Sequence, residues 1–221
     1  MIGPYGELDD RQIDALREMG NIGAGNAATS LSEMAGDTVL IGVPNVMVSG
    51  REGAASLAGG PAGTCVAVTI GFDGDLRGAL LFIIGCEDAK GLAGLFAEGL
   101  GLGEGVGDAE GLGDGDGGCP GAISEMQLSA IVETGNIVGS SYLCTVAALT
   151  GFRLAVSTPQ VSIDEAGASL GAAISGFSPG NDVILIIDGG FQADTRRLGA
   201  RVALFMDAPS LGRALDRLGA D

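Results

Sequence analysis

The chain has 221 residues, of which 46% are hydrophobic, and this is enough apolar material to bury one sizeable core. Its 28 acidic and 11 basic residues give a formal net charge of −17, which argues against a general binder of nucleic acids or anionic membranes. Histidine is absent, so histidine-based catalytic triads and histidine metal sites are excluded.

The first half of the chain predicts two helices, a set of strands and a closing helix. The first helix begins near Asp9 or Asp10, which are both good N-cap residues. We expect it to end at a Gly-Asn pair, and a second helix to run from there to Gly36, since glycine suits a helix C-terminus. Strands are predicted at residues 38–44, 45–50, 65–72 and 78–85, and the closing helix at residues 87–100.

The second half repeats this plan. When the sequence is shifted by 115 residues, residues 13–46 lie over residues 128–161 without a gap. This shift is the interval between Asn21 and Asn136. The corresponding helices are predicted at residues 128–137 and 140–151. Strands are predicted at residues 153–159, 160–163, 169–177, 182–191 and 200–206, with a closing helix at residues 208–219.

The repeat and the mixture of helices and strands predict the fold class and the domain organisation. We expect one α/β (α+β) domain made of two repeats, residues 9–98 and residues 122–221. Residues 99–121 are rich in glycine and aspartate, which is typical of a flexible connection or a surface loop.

The acidic surface has two interpretations. It could dock a basic partner, or it could be an adaptation to high salt, where screening removes the repulsion among like charges. The acids are scattered along the chain and Lys90 is the only lysine, so we favour the halophilic interpretation.

The four cysteines are dispersed and form no Cys-x-x-Cys pair, which disfavours a structural zinc site. Dispersed cysteines in a chain of this size are typical of reduced thiols in a cytoplasm. The first residues lack the basic and apolar regions of a signal peptide, so we expect a cytoplasmic protein.

One polar pattern recurs at the same register in both repeats. It is Asp14-x-x-x-Glu18-x-x-Asn21 in the first copy and Ser129-x-x-x-Glu133-x-x-Asn136 in the second. Spacings of four and three residues place each set on one helical face. A solvated face accepts any polar residue, whereas here glutamate and asparagine both recur, so we interpret the pattern as a functional site present twice.

A second motif, Gly23-Ala-Gly25-Asn-Ala-Ala28, matches the dinucleotide-binding pattern G-x-G-x-x-A. That pattern needs a strand before it, and the preceding segment has helical spacing instead. The second repeat also lacks both glycines. We therefore expect the two glycines to permit close helix packing rather than nucleotide binding.

The segment EMGNIGAGNAATSLSEMAG, the repeat and the doubled Glu-x-x-Asn motif resemble the CheC family of CheY-phosphate phosphatases. The chain looks like the stand-alone, two-site CheC type, because the related CheX proteins are shorter and FliY proteins add a motor-switch domain. The resemblance implies an αβ sandwich with pseudo-twofold symmetry. Together with the acidic composition it suggests a halophilic archaeal source.

The resemblance also implies a mechanism. Glu18 or Glu133 would pair with the lysine of a phosphorylated CheY-type receiver domain, and Asn21 or Asn136 would orient the attacking water. Asp14 and Ser129 would lie at the helix entrance as docking or positioning groups. The chain would need no cofactor of its own, because the receiver supplies Mg²⁺.

Two other functions are open at the level of the sequence. The protein could be a regulatory module that binds CheD, a receptor-modifying deamidase, with little or no turnover. It could also be a scaffold without activity. No residue in the sequence identifies a CheD-binding surface.

Overall fold

A computed structural model describes residues 8–36, 38–41, 45–49, 64–99, 119, 123–165, 168–169, 171–173, 183–188, 191–193 and 196–220. The helices are α1 (Asp10–Ala35), α2 (Cys86–Gly99), α3 (Glu125–Thr150) and α4 (Ala208–Leu218). The strands are β1 (Val39–Ile41), β2 (Asn45–Ser49), β3 (Thr64–Gly74), β4 (Gly78–Gly85), β5 (Leu154–Val156), β6 (Gln160–Glu165), β7 (Val183–Asp188), β8 (Phe191–Ala193), β9 (Arg196–Leu198) and β10 (Ala200–Met206).

Helix α1 is continuous over 26 residues. The prediction of two helices separated at the Gly-Asn pair is therefore wrong. A glycine inside a helix is unfavourable by only about 1 kcal/mol relative to alanine, and Gly20 and Gly23 are buried against the rest of the protein. Tertiary packing thus outweighs the local signal. The predicted ends are confirmed, with Asp9 as the N-cap and Gly36 in the left-handed conformation that ends the helix.

Helix α3 is the second copy of the same element and is equally continuous. Both helices begin with a capping box, in which the N-cap side chain and the N3 glutamine satisfy each other's backbone N–H groups. These boxes, Asp9 with Gln12 and Ser124 with Gln127, lie at matching positions of the two repeats. Gly151 ends α3 with a positive φ, and its N–H donates to the carbonyl of Ala147 over 2.9 Å.

The main sheet has the strand order β2-β7-β10-β4-β3-β5, and β6 also pairs with β3. The closing helices α2 and α4 each follow a strand of the central antiparallel pair, β4 and β10. The order on one side of this central pair mirrors the order on the other, as expected for pseudo-twofold symmetry. The predicted α+β sandwich is confirmed, whereas the exact repeat boundaries stay a prediction, because most of residues 99–121 lie outside the described residues.

Helix α3 lies directly on the sheet because it has glycines where it crosses β3. A Cβ atom at Gly135 would lie 2.7 Å from Val68, and one at Gly139 would lie 2.5 Å from Ile70. The side chains on this face of β3, β4 and β10 belong to the same buried core as the inner faces of α1 and α3. The sheet is therefore the platform that fixes the position of α3.

Two predictions from the sequence need correction besides the split helices. Residues 169–177 were expected to form a strand, but the part that the structure describes, residues 168–169 and 171–173, is helical. The described residues of this run, Ser169 and residues 171–173 (Gly-Ala-Ala), include none of the β-branched or aromatic residues that favour a strand.

The cysteines were all expected to be reduced thiols, but Cys86 and Cys119 form a disulfide across 33 residues of sequence. The fold brings the start of α2 next to a residue just before α3, and sequence spacing could not show this. The dispersed cysteines therefore no longer support a reducing compartment. None of the described helices is long and apolar enough to cross a membrane.

Candidate functional site

The first candidate site lies on the outer face of α1. Asp14 and Glu18 are exposed and Asn21 is half-buried, while the neighbouring Met19 and Gly20 point into the core. A helix rises about 1.5 Å per residue, so Glu18 and Asn21 are separated by about 4.5 Å along the axis. The three residues thus form one stripe, as the spacing predicted.

The second candidate site has the same construction on α3. Ser129 and Glu133 are exposed and Asn136 is half-buried. Thr134, which matches Met19, is buried and donates its hydroxyl to the carbonyl of Ala130 over 2.8 Å. Each Glu-x-x-Asn pair stands on a helix of its own, the first on α1 and the second on α3.

The asparagines occupy the middle of their helices. The predicted helix end at the Gly-Asn pair would place them at a helix terminus, and this prediction is wrong because each helix continues past its Gly-Asn pair. Within the part of the chain that the structure describes, no hydrogen bond or ion pair engages Glu18, Asn21, Glu133 or Asn136. Their carboxylates and amides are therefore available to a partner.

The two sites differ at the helix entrance. In the first, the exposed Arg17 forms an ion pair with Asp14, and their side chains are 46% and 71% exposed. In the second, the matching residues are Val132 and Ser129, which cannot form such a pair. An exposed i,i+3 pair stabilises a helix only slightly, so its main consequence is a more polar surface at the first site.

The helices that carry the sites pack closely against each other at Gly23. A Cβ atom there would lie 2.5 Å from the ring of Tyr142 on α3. Burial raises the pKa of the Tyr142 hydroxyl far above its usual value, so the side chain stays neutral. One turn further, Asn26 donates to the Thr145 hydroxyl over 3.1 Å. The helix crossing is thus fixed by shape and by a hydrogen bond.

The expectation for the glycine motif is met at only one of its two positions. Gly23 permits close packing, but a Cβ atom at Gly25 would have no neighbour within 4 Å in the part of the chain that the structure describes. Gly25 is exposed and lies one turn after Asn21 on the same stripe. The sequence alone did not separate the two glycines, because only the neighbouring helix distinguishes them.

The chemistry available at these sites is that of carboxylate and amide groups. Among the described residues there is no cluster of three or more metal-ligating side chains. A glutamate can pair with a cation, and an asparagine amide can both donate and accept hydrogen bonds. The arrangement can therefore dock a basic group and orient a water molecule one turn away.

Sequence reasoning missed the matching capping boxes, although their signal was present. Asp9 precedes Gln12, and Ser124 precedes Gln127, with the three-residue spacing that marks a capping box. Each N-cap lies nine residues before its glutamate, as 18 − 9 and 133 − 124 both show. The boxes start the two site helices at the same register, so the two glutamates are presented equivalently.

Comparison with known proteins agrees with the geometry. A family model described as the CheC-like family matches residues 12–48 and again residues 126–163. The CheY-P phosphatase CheC of Bacillus subtilis (strain 168) is 28% identical over 225 residues, which cover 98% of this chain and 98% of that protein. The flagellar motor switch phosphatase FliY of the same organism is 27% identical over 157 residues, which cover 71% of this chain and 37% of that protein.

The X-ray crystal structure of Thermotoga maritima FliY has the same fold. Its TM-score is 0.72 at 20% sequence identity, and the match covers 97% of this chain and 98% of that one. Each of the two family-model matches contains one Glu-x-x-Asn pair. The resemblance that was drawn from these motifs is thereby confirmed.

Proposed function

We propose that the chain, which matches the CheC-like family model in both repeats, is a phosphatase that hydrolyses the aspartyl phosphate of a CheY-type response regulator. Such a reaction would terminate a chemotaxis signal. The relatives named CheY-P phosphatase and flagellar motor switch phosphatase support this reaction class.

One observation carries the proposal to the level of residues. The two Glu-x-x-Asn pairs stand at the same register of two capped helices, with exposed glutamates and half-buried asparagines. Within the described structure, none of the four side chains forms a hydrogen bond or an ion pair. Unengaged polar groups held on a rigid helix are pre-organised for a partner, because little ordering remains to be done on binding.

In the proposed mechanism, Glu18 or Glu133 pairs with the lysine of the receiver and fixes the docking register. Asn21 or Asn136, about 4.5 Å further along the helix axis, then enters the site of the acyl phosphate. Its amide accepts a hydrogen bond from a water molecule and holds the water in line with phosphorus. The water oxygen attacks phosphorus, the bond to the aspartyl oxygen breaks, and inorganic phosphate and a free aspartate result.

The receiver contributes the remaining electrostatic stabilisation through its own Mg²⁺ and lysine. Asp14 and Ser129 lie about one turn before the glutamates and are proposed as docking groups. We place the reaction in the cytoplasm, where response regulators act.

Substitution of the asparagines tests the proposal. Asn21→Ala and Asn136→Ala should each leave part of the dephosphorylation rate, because the sites are on separate helices. The double variant should lose at least roughly a hundredfold in turnover, since removal of a positioning group raises the barrier by about 3 kcal/mol. The measurement is phosphate release from a CheY-type receiver charged with a small acyl phosphate.

Circular dichroism controls for folding, and alanine is the better helix former at both positions. A well-folded double variant with unchanged turnover would exclude the asparagines as water-positioning groups. Receiver binding without turnover by the unchanged protein would instead favour the regulatory module, including the CheD-binding alternative.

A further inference from the structure

Gly25 has no structural reason to be a glycine. Gly25 is not one of the described glycines with a positive φ, so any L-residue could adopt its backbone conformation. No atom of the described residues would lie within 4 Å of a Cβ atom at this position, so packing among them does not require glycine either. Yet glycine in an exposed helix interior is unfavourable by about 1 kcal/mol relative to alanine. Two of the three usual causes of a helical glycine are therefore absent.

The third cause is close approach of another molecule. Gly25 continues the stripe of Asp14, Glu18 and Asn21, and it lies about 6 Å beyond Asn21 along the helix axis. A protein domain that places a phosphoryl group at Asn21 would also lie over Gly25. The bare helix backbone at Gly25 lets that molecule sit against α1 without a side chain between them.

The second site is different at the matching position. Ser140 occupies it, one turn after Asn136, and is half-buried, so the second site carries a side chain at the position where the exposed Gly25 has none. A receiver that docks in the same way on both helices would therefore be held further from α3 than from α1. The difference is local, because the Glu-x-x-Asn pairs have the same spacing and start from equivalent helix caps.

We propose that Gly25 is a specificity-determining residue that lets the receiver domain approach α1 more closely than α3, so that the first site binds the phosphorylated receiver more tightly. This inference rests on the proposed phosphatase function, since it takes the docked partner to be the receiver. It assigns the order of affinity of the two sites and names the residue that sets it.

The test uses proteins with one functional site. Asn136→Ala leaves the first site alone, and Asn21→Ala leaves the second. The half-saturating concentration of phosphorylated receiver should be lower for the first-site protein. Gly25→Ala in that protein should raise it several-fold, and Gly25→Gln by roughly tenfold or more, because a side chain forced into a packed contact separates the surfaces.

Stability separates this effect from damage to the fold. Gly25→Ala should raise the melting temperature, since alanine favours the helix and reduces the entropy of the unfolded chain. Better folding with weaker receiver binding is a result that a merely structural role cannot give. Gly94→Ala in α2 is the matched control, because a Cβ atom there also has no neighbour within 4 Å. It should raise the melting temperature without changing the half-saturating concentration.

The reciprocal change is Ser140→Gly in the second-site protein, which should lower its half-saturating concentration. If Gly25→Gln leaves the half-saturating concentration of an active first-site protein unchanged, the assignment of Gly25 is overturned while the phosphatase proposal stands. If the double asparagine variant keeps full turnover, the phosphatase proposal fails instead. Direct binding of the receiver to the Gly25 variants then tests the contact independently of turnover.

Discussion

In the proposed mechanism, glutamate and asparagine take different parts because their side chains differ in charge and exposure. Glu18 and Glu133 are exposed, and an exposed carboxylate can reach a cation on a partner without first losing its hydration inside the protein. Asn21 and Asn136 are half-buried beside the core and neutral, so they are held more firmly by their surroundings. Exposure thus favours docking for the glutamates and positioning for the asparagines.

This division predicts a kinetic difference. Glu18→Ala combined with Glu133→Ala should raise the half-saturating receiver concentration more than the asparagine substitutions do, because the receiver lysine loses its partner. The turnover at saturation should fall less than in the double asparagine variant. Steady-state phosphate release over a range of receiver concentrations measures both quantities. Equal effects of the two pairs on both quantities would contradict the separate roles.

The reactivity of the free cysteines also differs at the residue scale. Burial, opposed by a hydrogen bond to Ser169 and reinforced by the nearby Asp164, raises the pKa of the Cys65 thiol to about 11. Cys65 is therefore a neutral thiol at physiological pH and reacts slowly. Cys144 is exposed and remains the accessible free thiol among the described cysteines.

At the scale of elements, the crossing of α1 and α3 depends on Gly23. The Tyr142 ring occupies the space that a side chain at Gly23 would need. The two repeats are complementary here rather than identical, because the second copy has Val138 where the first has Gly23, and Tyr142 where the first has Ala27. The pair of site helices is therefore locked by a contact that breaks the sequence symmetry.

Gly23→Ala should consequently destabilise the protein by about 1–3 kcal/mol, since the added methyl group overlaps the ring and both helices are fixed by the sheet. This is opposite in sign to the usual effect of replacing a helical glycine by alanine. Urea unfolding measures the change, with Gly94→Ala as a control of the opposite sign. A Gly23→Ala protein as stable as the original would show that the helices do not cross at this contact.

At the scale of the whole molecule, the disulfide joins Cys86, at the start of α2, to Cys119, in the connection before α3, and both cysteines lie outside the stripes of the candidate sites. In the chain-entropy description, closing a loop of this length stabilises a fold by about 3–4 kcal/mol. Cys86→Ala with Cys119→Ala should lower the free energy of unfolding by up to this amount. Phosphatase turnover should persist at temperatures where the variant is folded.

The matched control for this prediction is Cys144→Ser, an exposed thiol outside any disulfide. It should leave the free energy of unfolding unchanged. It should also leave unchanged the amount by which a reducing agent lowers that free energy. Loss of turnover in the folded double cysteine variant would show that the bridge also supports a site.

Net charge is the other property of the whole molecule with a measurable consequence. A formal charge of −17 means that the acidic residues repel one another in the folded state, and salt screens this repulsion. If the surface is adapted to high salt, the melting temperature should rise as KCl increases to molar concentrations. Thermal melts at low and high KCl decide the matter, and an unchanged or lower melting temperature in high KCl would refute the halophilic interpretation.

The sequence by itself determined the properties that depend on local or periodic signals. The spacing of Asp14, Glu18 and Asn21 placed them on one helical face, and comparison of the chain with itself located the second set. The helix ends at Asp9, Gly36 and Gly151 were also predictable, because caps depend on a few neighbouring residues.

Only the tertiary structure decided the properties that depend on contacts between distant residues. The site helices continue through their glycines because burial against the core outweighs weak local propensity. Cys86 meets Cys119 because two elements 33 residues apart lie side by side. Gly23 and Gly25 are equivalent in the sequence, yet one faces Tyr142 and the other faces open space. That difference exists only once α3 is in place, since a side chain's surroundings are set by residues far along the chain.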